Sequence, residues 1–296
     1  MLDGVSESQY VAFGSQPQFA GSGLLSGAGG TGSGTLIAPN WVLTAGHVGN
    51  PSFFQPGGTG PTYAISRVIP HPQFVLNGSD LNYGFDIALL QLSTPAPGVF
   101  ANIYRGANED SLGAAITGFG VGGFGSDGGA SGLPQARRAG TNEIDLFLDF
   151  DPGPQGQIGA QNASFLSDFD APNGFGSPGQ YNTLGAFGST PGPSPLEYQV
   201  ANQDSGGGVY VFENGNWFLA GINSGVLTQQ QTLTGLGIGG VGNNQPFGYG
   251  ATALYTRVSS FQSFIDVNAL SVPEPGSFVL LSVIATGCVF SRRRKN

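Results

Sequence analysis

Apolar and polar residues alternate in short runs along most of the chain, and glycine, proline, asparagine or serine interrupts each run. Alternation with a period of two marks a half-buried β-strand rather than an amphipathic helix. Thr35–Ala38 and Trp41–Thr44 are expected to form a hairpin over Pro39 and Asn40. Further strands are predicted at Ala64–Ile69, Ile87–Leu92, Ala114–Gly120, Gly208–Phe212, Trp217–Ile222 and Ala253–Val258. Between Ser259 and Asn268 the apolar residues Phe261, Phe264 and Ile265 follow helical spacing behind a serine cap, which predicts a short helix. The stretch 151–195, rich in Gly, Pro, Asn and Ser, is expected to be a long irregular loop. Many short strands at close spacing predict an all-β sandwich or barrel class.

Composition sharpens this picture. Glycine supplies 52 of the 296 residues, against about 7% in an average protein. The glycines do not recur at every third position, so the chain is not collagen-like. With 39% hydrophobic residues and 22 Phe there is enough apolar material for a core, which argues against wholesale disorder. Charged residues make up only 9%, and four of the nine basic ones are Arg292, Arg293, Arg294 and Lys295. Residues 1–272 therefore carry five basic groups against 17 acidic ones. Such a body does not bind nucleic acid, which needs clustered Lys and Arg for phosphate. Cys288 is the single cysteine, so no intramolecular disulfide forms.

The C-terminus has three parts in a fixed order. Val272-Pro273-Glu274-Pro275 is a stiff connector, Ser277–Ser291 is uncharged and apolar, and the basic cluster closes the chain. Fifteen helical residues span about 22 Å, short of the roughly 30 Å hydrocarbon core unless flanking residues extend them. Basic residues stay on the cytoplasmic side, which would place residues 1–272 outside. This tail resembles the PEP-CTERM sorting signal of Gram-negative bacteria. The resemblance implies export to the cell surface, transient membrane contact through residues 277–291, and recognition and removal of the tail by an exosortase-type enzyme. The first residues, Met1–Ser8, show neither the basic nor the apolar region of a signal peptide. The expectation is therefore that the true reading frame begins further upstream.

Three residues carry candidate chemistry. His47 follows the Trp41–Thr44 strand, Asp86 precedes the Ile87–Leu92 strand, and Ser205 sits in a turn ahead of Gly208–Phe212. A serine hydroxyl needs a base to accept its proton, and the base needs an acceptor that fixes its tautomer. Their surroundings, Thr44-Ala45-Gly46-His47-Val48, Asp86-Ile87-Ala88-Leu89-Leu90 and Gln203-Asp204-Ser205-Gly206-Gly207-Gly208, closely resemble the trypsin/chymotrypsin family of serine endopeptidases. The order His, Asp, Ser agrees with that family. Secondary matches at Thr117–Gly120, Gly221–Ser224 and Leu254–Val258 extend the resemblance over roughly residues 5–268.

The resemblance implies two six-stranded antiparallel β-barrels with the site between them. Residues 1–112 would form the first, with His47 and Asp86. Residues 113–270 would form the second, with Ser205, the loop 151–195 and the helix 259–268, and 271–296 would be the sorting segment. It further implies an oxyanion hole from the backbone N–H groups of Gln203 and Ser205, support of Asp86 by Ser224, pairing of Asp204 with an inserted N-terminus, and no cofactor. Gln203 stands where the family has glycine, Gly208 where it has proline, and Val48 where it has a disulfide cysteine. Gln199, at the base of the specificity pocket, is uncharged, which does not fit cleavage after Arg or Lys. Val226 and Ala253 take wall positions that trypsin fills with glycine, so a narrow pocket for small apolar side chains is expected.

Two rival readings are kept. One is a serine esterase, although the Gly-x-Ser-x-Gly elbow is missing. The other is a catalytically silent surface binding protein on the same fold. His71 reads as a loop histidine, and Arg137-Arg138 as a surface pair. The alternating carboxylates Asp149/Asp151 and Asp168/Asp170 read as solvated loop charge, with a structural Ca²⁺ site as the alternative.

Overall fold

The computed structural model describes residues 1–270, apart from Ala130 and Pro178. The PEP-CTERM-like motif and the apolar stretch 277–291 lie outside the described residues. Among the described residues no helix is long and apolar enough to cross a membrane.

The first half builds a closed antiparallel barrel. Its strands are β1 (Ser22–Ser26), β2 (Gly32–Ala38), β3 (Trp41–Thr44), β4 (Phe53–Pro56), β5 (Tyr63–Pro70) and β6 (Ala88–Leu92), in the order β1-β2-β3-β6-β5-β4. Ser26 paired with Phe53 helps close the ring, so no edge is left. The expected hairpin forms over Pro39 and Asn40, with Ala38 opposite Trp41. Leu25, Leu36, Val42, Leu43, Phe54, Leu89 and Leu90 are almost fully buried in the core.

The second half departs from a closed six-stranded barrel. It is a seven-stranded sheet of β7 (Ala114–Gly118), β8 (Arg138–Asn142), β9 (Leu146–Leu148), β10 (Ser164–Asp168), β11 (Gly208–Glu213), β12 (Asn216–Leu227) and β13 (Thr252–Arg257), ordered β8-β7-β11-β12-β13-β10-β9. The edge strands β8 and β9 are consecutive in the chain, separated only by residues 143–145. One bent segment thus supplies both edges, and the sheet curls round toward a barrel without a ladder closing it. β10 lies inside the stretch expected to be irregular loop, where it pairs with both β9 and β13. The predicted C-terminal helix forms as a tight turn at Val258–Phe261, a short α-helix at Gln262–Ile265 and a wider turn at Asp266–Leu270. A further helix, Glu7–Gly14, packs on β8.

The two halves share one continuous core. Tyr210, Leu219 and Ile222 from the second join Leu25, Leu36 and Ile87 from the first. Buried polar groups are satisfied inside this frame. Arg257 grips Glu109 in two bonds of 2.9 and 2.7 Å, and Ser259 Oγ donates to the same carboxylate. Arg138 is no surface residue: it is fully buried, pairs with Glu7 and donates to the carbonyls of Gly120 and Pro134. His71 is packed between Phe85, Phe261 and Phe264, with ring centroids 5.0–5.2 Å apart, and burial holds its pKa below the usual value.

The alternating carboxylates are not solvated loop charge throughout, nor do they form the alternative metal site. Asp168, Asp170 and Glu197 are buried around a cavity of about 270 Å³. They accept from loop donors: Leu184 N–H and Ser189 Oγ for Asp168, Gly192 N–H for Asp170, Ser194 N–H for Glu197. Asp149 instead accepts from Asn162 N–H, at 2.6 Å. Among the described residues no group of three or more His, Cys, Asp or Glu side chains is arranged to hold a metal ion.

Burial, with a smaller contribution from the field of a neighbouring carboxylate in each case, pushes Asp170 up to about 6 and Asp145 and Asp168 up to about 7. Groups with raised folded-state pKa values stabilise the fold below the ordinary carboxylate range, and that stability is lost as the pH rises through 6 to 7. The melting temperature should therefore be higher at pH 5 than at pH 8. Asp145→Asn removes one charge from the cluster and should raise the pH 8 melting temperature by roughly 2–4 °C, the size of shift that about 1 kcal/mol makes in a domain of this size. Calorimetric scans at the two pH values check both statements.

Candidate active site

Asp86 sits two residues ahead of β6 where the first barrel meets the second sheet, and it is 1% exposed. A buried carboxylate has to be hydrogen-bonded. Its Oδ1 accepts the backbone N–H of His47 at 2.8 Å, and its Oδ2 faces His47 Nδ1 at 2.7 Å. Ser224 Oγ on β12 donates to the same Oδ2 at 2.5 Å, and Thr256 Oγ1 on β13 donates to the Asp86 carbonyl at 2.8 Å. One residue is thus held by both halves.

His47 lies in the single turn Gly46–Val48 after β3. With Nδ1–H donated to Asp86, its Nε2 carries a lone pair. That nitrogen is 2.8 Å from Ser205 Oγ, 158 residues further along the chain. The structure therefore brings His47, Asp86 and Ser205 into one hydrogen-bonded line. Burial alone would lower the His47 pKa; the hydrogen bond to Asp86 and that residue's charge together outweigh it, and the imidazole ends above its usual value.

Ser205 stands in a turn shaped by distant contacts. Gly206 has φ +83°, and a Cβ there would collide with the Thr44 hydroxyl and the Ser33 carbonyl, so only glycine fits. Gln203 also adopts the left-handed region, with φ +74°. For a residue with a Cβ this costs about 1–2 kcal/mol. The Asn202 carbonyl accepts Val121 N–H at 2.9 Å, which turns the 202–203 peptide so that its N–H points away from that partner. Among the described residues the N–H groups of Gln203 and Ser205 have no acceptor. Both residues border a cleft of about 470 Å³ whose other walls are residues 28–31 and 47–49. Two free donors beside the serine hydroxyl suit a developing oxyanion.

Asp204, fully buried, accepts from Gly120 N–H (2.6 Å), Ala201 N–H (2.8 Å) and Tyr198 OH (2.8 Å). Among the described residues no ion pair joins it to the α-amino group that the resemblance implied; the Met1 amino group is buried within the field of Asp204 and donates to the Gly123 carbonyl. Val226 and Ala253 are cross-strand partners on β12 and β13. Gln199 is buried, and its amide NH₂ has no partner among the described residues. None of the three lines the cleft beside Ser205. Thr256, Tyr198 and Ser33 escaped sequence reasoning, since polar residues in strands and glycine-rich runs carry no local signature of the groups they reach.

Comparison with known proteins finds likenesses over part of the chain. Residues 11–143, the portion with His47 and Asp86, match the Trypsin family model. Over 71 residues the chain is 35% identical to chymotrypsin-like elastase family member 1 of Canis lupus familiaris, covering 20% of this chain and 27% of that protein. The same-named protein of Macaca fascicularis is 35% identical over 71 residues, covering 20% of this chain and 26% of its own length. The matched stretch thus spans about a quarter of the curated relatives. These likenesses support a trypsin/chymotrypsin-like serine protease relationship at the level of the family.

The His47–Asp86 pair gives a direct expectation. In an NMR titration the His47 ring should titrate above the ordinary histidine value of about 6.5. In Asp86→Asn, which removes the charge, the inflection should move below the wild-type position. A wild-type inflection below 6 would show that burial outweighs the Asp86 interaction.

Proposed function

We propose that the chain is a serine endopeptidase that cleaves peptide bonds through an acyl-enzyme on Ser205. The observation that carries this reading is the line Asp86–His47–Ser205, with separations of 2.7 and 2.8 Å, ending beside two N–H groups that have no acceptor among the described residues. Ser205 Oγ attacks the substrate carbonyl while His47 Nε2 takes its proton. The carbonyl oxygen becomes an oxyanion, to which the N–H groups of Gln203 and Ser205 donate. His47 then gives the proton to the leaving amine, and a water molecule repeats the sequence to release the acid. Asp86 keeps Nδ1 protonated and stabilises the imidazolium.

The specificity pocket is proposed to be non-acidic, with Gln199 at its base and the Val226–Ala253 pair narrowing it toward small apolar side chains. The protein is proposed to act outside the cell, displayed through its tail until an exosortase-type enzyme removes it. What supports this location is the order of motif, apolar stretch and basic cluster in residues 272–296.

A fluorophosphonate probe should label the wild type, and labelling should vanish in Ser205→Ala. Asp86→Asn should cut kcat/KM by roughly 10³–10⁴-fold. Absence of labelling in folded wild type points to the silent binding protein, and turnover of esters but not of any peptide points to the esterase. A peptide-library profile dominated by Arg or Lys overturns the pocket assignment. Mass spectrometry of surface material should find the chain without residues 277–296; an intact tail overturns its removal.

A further inference from the structure

Gln203 is held in a conformation it disfavours, and the group holding it comes from the other half of the molecule. Ser33 on β2 is 1% exposed and uses every polar atom it has. Its Oγ donates to the Gln203 carbonyl at 3.0 Å and accepts Phe119 N–H at 2.9 Å. Its backbone N–H donates to the Ser205 carbonyl at 2.7 Å. Its own carbonyl accepts the Thr44 hydroxyl at 2.8 Å, three residues before His47.

We propose that Ser33 is a positioning residue that holds both oxyanion donors of Ser205's turn in place by gripping the carbonyls of Gln203 and Ser205 from the first barrel. The inference rests on the endopeptidase reading above. The two carbonyls flank Asp204, so fixing them fixes the turn on either side of it. The hydroxyl bond is the one a substitution can remove. Without it nothing holds the Gln203 carbonyl among the described residues, and the side-chain-bearing residue gains by leaving φ +74°. Its N–H then swings away from the position the oxyanion takes. Glycine at 203 has no such preference, so dependence on Ser33 should fade when Gln203 is replaced by glycine. Ser33 touches no reacting atom and acts through the loop.

The test uses the full chain and measures the rate of fluorophosphonate labelling, kcat and KM on a peptide substrate, and melting temperature. Ser33→Ala should label at least tenfold more slowly, with kcat reduced alike and KM within about twofold, because loss of an oxyanion donor is felt in the transition state. Made in a Gln203→Gly background, the same substitution should cost less than threefold relative to that background. Ser33→Cys keeps the volume but offers a weak donor, and should fall between wild type and Ser33→Ala; it serves as the primary variant if Ser33→Ala does not fold. Wild-type rates in either folded Ser33 variant overturn the proposal. So does an equal loss in both backgrounds, which marks Ser33 as packing alone. Wild type that is itself unlabelled refutes the endopeptidase reading instead, a result distinct from all of these.

Discussion

A single buried carboxylate ties the two halves of the molecule together. Asp86 has His47 from the end of β3 on one side, Ser224 from β12 on the other, and Thr256 from β13 on its backbone carbonyl. An ionised group in the interior is tolerated only when its lone pairs are met, and here donors from both halves meet them. Any rotation of one half against the other would strip the carboxylate of partners. The line from Asp86 through His47 to Ser205 and the packing of the two halves are thus one constraint, and the shared core of Leu36, Ile87, Tyr210 and Leu219 holds the same seam.

The nucleophile turn follows a different logic. One of its own residues disfavours the shape it adopts: Gln203 and Gly206 both have positive φ, but only Gln203 carries a Cβ. The shape persists because its polar groups are claimed from outside. Val121 holds the Asn202 carbonyl, Ser33 holds those of Gln203 and Ser205, and Asn223 Nδ2 donates to that of Asp204. Asp204 is in turn anchored by Gly120 and Tyr198. Local strain maintained by surrounding contacts is what a preorganised site requires, since the donors are then aligned before charge develops.

Legibility in the sequence followed the range of the interactions. Strands β2, β3, β5–β7 and β11–β13 were readable because the apolar strand pattern is local. β9 was not, because Leu146–Leu148 is too short to alternate. β10 was not, because Ser164–Asp168 is buried along its whole length and lies in a stretch rich in turn residues. His47, Asp86 and Ser205 stood out through their neighbours in sequence. Arg138 was misjudged, because its fate is set by Glu7, 131 residues away, and by two loop carbonyls. The second half's topology was missed for a related reason: one bent segment serves as β8 and β9, and no residue pattern announces that its two ends pair with opposite edges.

The scarcity of charge acquires a structural meaning at this point. Residues 1–272 hold five arginines and no lysine. Three of the arginines form ion pairs, with Asp266, Glu7 and Glu109. Asp168, Asp170, Glu197 and Asp204 are buried without such a cation and are held instead by backbone N–H groups and hydroxyls. Burial raises the pKa values in this cluster, and neutral donors, which satisfy lone pairs but do not cancel the field of the next carboxylate, leave that second contribution in place. Backbone donors also require loops that approach closely, and glycine permits such approach. The abundance of glycine and the shortage of cations are therefore linked: loop backbone does in this chain the work that lysine and arginine do in more highly charged proteins.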